Sequence, residues 1–161
     1  MLVPLVAMQF SDKVDWTLFD FVVAAILIGG TGAMFEVAVL MSRHAAYRLA
    51  SAIALLTAFL LVWVNVAVGI IADAGNTANL LHAGVLALGL AGVVWVRFRP
   101  RGMARTLAAM ASAQTLVAVI VLVLGRWEAA TLTMVFAGLW LLSAVLFWKA
   151  AQAQAASRAT P

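Results

Sequence analysis

The sequence predicts an all-α fold, a polytopic transmembrane helical bundle of five membrane-spanning helices preceded by an apolar N-terminal stub. Three observations carry this. Hydrophobic residues make up 66% of the 161 residues and charged residues only 10%, and the mean hydropathy is +1.12. A water-soluble domain carries about 25% charged residues, so this chain has too little polar surface to face water and suits lipid. Apolar runs close to the ~20 residues that a membrane helix needs recur along its length. The breaks between them are short, polar and alternately rich and poor in arginine.

The first ten residues, "MLVPLVAMQF", are apolar but too short to span, and Pro4 is unfavourable inside a helix. They lack the basic start and small-residue cleavage site of a signal peptide. They read as an interfacial stub, or as the end of a helix in a longer form with six crossings and both termini inside. The five predicted helices then run Thr17–Met41, Leu49–Ile71, Leu80–Val96, Thr106–Leu124 and Ala130–Trp148, with a cytoplasmic tail over 149–161. The intervening segments are "SRHAAYR", "ADAGNTAN", "RFRPRGMAR" and "GRWEA". None is long enough for a second domain, so residues 1–161 form one membrane domain.

Orientation follows from the basic residues. Eight of the ten, Arg43, Arg48, Arg97, Arg99, Arg101, Arg105, Lys149 and Arg158, fall on one side, and only Lys13 and Arg126 on the other. The positive-inside rule puts the eight in the cytoplasm, with the C-terminus inside. Asp12, Asp15, Asp73 and Glu128 then lie outside. Trp16 and Trp127 at one edge, and Trp95 and Trp148 at the other, suit interfacial anchors. Trp63 and Trp140 are deeper, where an indole N–H needs an acceptor.

Lipid gives no hydrophobic drive between helices, so contacts depend on small residues that let backbones approach. Gly29 and Ala33 in "GGTGA", Gly84, Gly89 and Gly92, and Ala104, Ala108 and Ser112 are candidates. They suit tight crossings within the chain, or a seam to another subunit or a second copy.

The segment "NVAVGIIADAGNTANLLHAG" concentrates polar groups between two apolar runs. Gly75 and Asn76 suit its turn, and Asn79 is a good N-cap for the third helix. The second and third helices are expected to meet through Gly69 and Gly84. Asn65, Asp73 and His82 remain as a candidate outward-facing polar pocket, with His82 at the outer interface. Asp20 and Glu36 are candidate intramembrane carboxylates, since burying charge in a bilayer is costly. Ordinary roles compete: Asp20 suits the positive end of a helix dipole, and Glu36 an ion pair with Arg43 or Arg48 near the headgroups. Arg97, Arg99, Arg101 and Arg105 are candidate contacts for anionic lipid.

The exclusions are broad. No cysteine is present, so disulfides and thiolate chemistry are absent. The pI near 10.8 reflects membrane topology and does not imply nucleic acid. His44 and His82 fall at opposite faces, which excludes a bis-histidine haem within one chain and leaves only single-histidine pigment ligation through His82. No set of three metal ligands and no catalytic constellation is visible, so neither an enzyme nor a required cofactor is expected.

"AYRLA", "FLLVWVNVAVGII", "NTANLL" and "RFRPRGMAR" together resemble a group of small proteobacterial inner-membrane proteins with no assigned activity. The resemblance covers most of the chain from about Asp15 and implies a further helix at the front in many members. Where that group usually has "GIIGSE", this chain has "GIIADA". The tryptophan-rich sensory proteins, which bind porphyrins, share the helix number, but their proline-rich motifs have no counterpart here: the prolines are Pro4, Pro100 and Pro161. The resulting expectation is a non-enzymatic helical subunit or scaffold in a larger assembly. The alternative is a small transporter or channel with Asn65, Asp73 and His82 at its outer mouth and Glu36 as an inner station.

Overall fold

The computed structural model describes residues 17–42, 44–67, 70 and 79–159. These form five helices: α1 (Leu18–Met41), α2 (Ala45–Ala67), α3 (Leu80–Val96), α4 (Pro100–Val123) and α5 (Trp127–Ala159). Four of them, α1, α2, α4 and α5, are long and apolar enough to cross a membrane. The fifth, α3, is apolar with 17 residues, about 26 Å at 1.5 Å per residue, the short end of the spanning range. The chain is an all-α, multi-pass membrane protein.

Local chemistry accounts for the helix ends. Thr17 caps α1 in a capping box with Asp20, whose carboxylate accepts from the Thr17 backbone N–H at 2.7 Å. At the other end of α1, Arg48 donates from Nε to the Ser42 carbonyl at 3.0 Å and from Nη2 to the Val39 carbonyl at 3.3 Å. A cation there satisfies orphan carbonyls and complements the negative end of the helix dipole. Between α3 and α4 the backbone turns through Arg97 and Phe98, both at positive φ (49° and 59°). Pro100 then starts α4, six residues before the sequence-based start at Thr106, because proline presets φ and needs no donor in a first turn. Gly125, at φ 76°, lets the chain reverse between α4 and α5.

α5 is longer than expected. Its 33 residues extend about 50 Å, against a hydrocarbon thickness of about 30 Å. The segment expected as a cytoplasmic tail from 149 is helical to Ala159. Its alanines and glutamines are good helix formers that need no lipid to stay helical.

The packing order is α1, α2, α5, α4, α3. The most extensive contact is α4 on α5; α2 then packs on α5, α3 on α4 and α1 on α2, while α2 and α3 touch only slightly. Gly89 and Gly92 set the α3–α4 contact. A Cβ on Gly89 would lie 2.6 Å from the Met110 sulfur, and one on Gly92 would overlap Thr106. The α2–α5 contact is fixed by a T-shaped pair, Tyr47 on Phe147 at 5.0 Å, and by Ser143 Oγ donating to the Ala50 carbonyl at 2.7 Å.

Three packing expectations change. Gly69 lies outside the described residues, and a Cβ on Gly84 would meet nothing within 4 Å, so Gly84 makes no α2–α3 contact. The three-residue turn Arg97–Arg99 ties α3 to α4 instead. A Cβ on Gly29, Gly30 or Gly32 likewise meets nothing within 4 Å, so among the described residues the glycine face of α1 is not a crossing. Asn79 makes no side-chain cap bond, because its backbone is already helical (φ −67°, ψ −18°) rather than extended.

Candidate functional site

The slight contact between α2 and α3 leaves a cavity of about 290 Å³. Its walls include Met34 of α1, Ala54 and Ala58 of α2, Gly89 of α3, Met110 of α4 and Trp140 of α5. The space exists where α2 turns Ser51, Ala54 and Ala58, and α3 turns Gly89, toward it. Hydrogen bonds pin its two ends. Tyr47 Oη donates to the Phe98 carbonyl at 3.2 Å, and Asn65 Nδ2 donates to the Asn79 carbonyl at 3.1 Å. Half-exposed Met34 and well-exposed Leu90 stand at its rim.

Most hydroxyls here are satisfied locally, as a lipid environment demands. Ser51 donates to the Tyr47 carbonyl at 3.0 Å, Thr57 to that of Ile53 at 2.6 Å and Thr133 to that of Ala129 at 2.7 Å. Four buried side chains are not satisfied. Among the described residues, Asn65 Oδ1, both nitrogens of His82, both amide atoms of Gln114 and Trp140 Nε1 have no hydrogen-bond partner. His82 and Gln114 have no exposed surface, and Trp140 is 2% exposed. Leaving such groups unpaired is costly, so each calls for a reason.

Three of the four extend the faces that line the cavity. One turn separates His82 from Leu86 on α3, Gln114 from Met110 on α4, and Asn65 from Val62 on α2; Leu86, Met110 and Val62 all line it. Polar groups from three helices therefore gather beyond its end opposite the arginines. Of the candidate pocket Asn65, Asp73 and His82, the first and last are in this layer, and Asp73 lies outside the described residues. Gln114 of α4 joins them, although its place in an apolar run gives no sign of that in the sequence.

The two carboxylates part ways. Asp20 is the capping partner of Thr17 at the start of α1. Glu36 is exposed and makes no ion pair among the described residues. At about 100° per residue, it shares a face with Gly29 and Gly32, roughly opposite the buried Ala24 and Ala38. It cannot serve as an inner station on a path from His82, because the body of α1 lies between it and the bundle. The expected Glu36–Arg48 pair is also absent, since Arg48 is engaged with the carbonyls of α1; Arg43 lies outside the described residues. Arg97, Arg99, Arg101 and Arg105 are all exposed around the α3–α4 turn. His44 precedes α2 and His82 opens α3, at opposite ends of the bundle. Full burial of His82 leaves no open face for an axial pigment. Among the described residues no three His, Asp or Glu side chains gather.

Sequence reasoning missed the cavity. Its one visible sign was the run of small residues Ser51, Ala54 and Ala58 at helical spacing, which alone is indistinguishable from a packed crossing. Fold and site together define a multi-pass helical membrane protein with an apolar cavity and an adjoining layer of unpaired polar groups. No protein-family model, no curated protein and no solved structure matches the chain.

Proposed function

We propose that the protein is a non-enzymatic helical subunit of a larger assembly in a bacterial inner membrane, docking through the outward face of α1. One observation carries the reading: among the described residues α1 contacts the bundle mainly through α2, while its opposite face combines glycines at which a Cβ would meet nothing with an unpaired Glu36. Helix association in lipid favours small residues for close approach. A carboxylate about 7.5 Å from the end of α1 is costly against lipid and cheaper against a partner that donates hydrogen bonds. The occupant is a second copy or another membrane subunit with a basic or hydroxyl-bearing side chain at that level. The surplus of arginine around the α3–α4 turn supports a cytoplasmic side for that end and for the end of α5.

The chain has no cysteine, so a single Gly32→Cys variant reports cleanly. Cross-linking in native membranes, followed by mass measurement in mild detergent, is expected to trap one defined species, and Glu36→Leu is expected to weaken it. A strictly monomeric mass with no cross-linked product at Gly32→Cys would refute the reading.

A further inference from the structure

We infer that the cavity between α2 and α3 binds the apolar chain of a neutral, membrane-soluble molecule, whose carbonyl oxygen accepts a hydrogen bond from Trp140. Two independent features meet here. The first is shape: about 290 Å³, the low end of ligand-pocket volumes, suited to a chain segment rather than a macrocycle. Its rim, at Met34 and Leu90, is exposed where lipid would lie, so a lipid-soluble molecule reaches it without crossing water. The second is chemistry. The two hydroxyl residues in the wall already donate elsewhere, Ser51 to the Tyr47 carbonyl and Tyr47 to that of Phe98. Trp140 is the wall residue whose donor is unused: it is 2% exposed and its Nε1 has no acceptor.

An indole N–H donates and cannot accept. The matching group is therefore an acceptor, which excludes protonated amines and plain hydrocarbons as the preferred ligand. It is also neutral, since no wall residue carries a charge to pair with an ion. Trp140 stands about 20 Å along α5 from Trp127, deep in the bilayer, where competing water is scarce and one hydrogen bond discriminates well. The shared chemistry, a carbonyl attached to an apolar chain, occurs in quinones and in acylglycerols.

The test uses purified full-length protein in detergent with three probes: a decyl-substituted benzoquinone, dioctanoylglycerol and dodecane. Binding is measured by native mass spectrometry and by ligand-induced shift of the unfolding transition. One or both carbonyl probes are expected to bind more tightly than dodecane by about three- to tenfold, the value of one hydrogen bond. Whichever probe does so identifies the source. Trp140→Phe is expected to remove that preference while dodecane binding persists. Ala54→Phe, which fills the cavity and leaves Trp140 in the sequence, is expected to abolish binding of all three. Equal binding of carbonyl probes and dodecane, a preference that survives Trp140→Phe, or carbonyl binding that survives Ala54→Phe would each overturn the inference.

Discussion

Gly92→Ala and Gly32→Ala make the same chemical change in two helices, and the structure gives them opposite signs. At Gly92 a new Cβ would overlap the Thr106 methyl group and lie 2.8 Å from its Oγ1 and 3.1 Å from its Cβ. Thr106 is β-branched and held close to its own backbone, so it cannot swing aside as a long side chain does. Overpacking of this kind costs about 1–3 kcal/mol, and replacing glycine by alanine inside a helix returns up to about 1 kcal/mol. The net expectation is a loss of about 1 kcal/mol. At Gly32 nothing lies within 4 Å, so only the gain of up to about 1 kcal/mol remains in the isolated protein. Gly89→Ala falls between, since its obstacle is the flexible tip of Met110.

Helicity followed through an SDS titration in mixed micelles measures these differences. Adding Thr106→Ala to Gly92→Ala is expected to restore most of the loss, with a coupling of about 0.5–3 kcal/mol, as for residues in direct contact. Equal shifts for Gly92→Ala and Gly32→Ala, or no rescue by Thr106→Ala, would refute the packing of α3 on α4. In native membranes Gly32→Ala has a second use: reduced assembly there, despite unchanged or increased stability in detergent, separates docking from folding.

Ser143→Ala removes the bond from α5 to the Ala50 carbonyl and is expected to cost about 0.6 kcal/mol, at most about 1.7, the range for such bonds in membranes; the same SDS titration checks it. Truncation after Ala151 removes mainly exposed residues and is expected to change stability by less than about 0.5 kcal/mol. A larger loss would show that the end of α5 packs on something.

The architecture was legible because each of its signals is local. Apolar runs and the polar breaks between them are read directly along the chain, and the lipid environment leaves helices as the way to satisfy backbone polar groups in these runs. The far end of α5 was less legible, because hydropathy falls after Trp148 while Ala150 to Ala156 keep their helix propensity in water. Contacts were less legible. Glycine spacing marks places where helices can approach and does not choose the partner: Gly89 and Gly92 meet α4, while Gly29, Gly32 and Gly84 meet nothing among the described residues. Asn65 and His82 were singled out by type. Gln114 entered their layer only through the order of helices around the bundle, a property of the whole chain.

That layer poses the sharpest conflict in the molecule. Gln114 has no exposed surface and neither amide atom is bonded, so in the isolated protein it contributes volume and an unmet polar demand. Those two contributions separate by substitution. Gln114→Leu keeps most of the volume and removes both polar atoms, and replacing unsatisfied polar groups by apolar ones of similar shape is neutral or stabilising. Gln114→Ala also removes them but leaves a void, which costs about 2–5 kcal/mol for a large side chain. Gln114→Leu is therefore expected to match or exceed the wild type in SDS titration, with Gln114→Ala clearly below it. If Leu were no better than Ala, the amide would be bonded within the bundle and the orphaned layer would not exist. If Leu is the more stable, the position holds a residue that opposes the stability of the isolated bundle. Such local conflicts are expected where a chain serves function rather than its own packing.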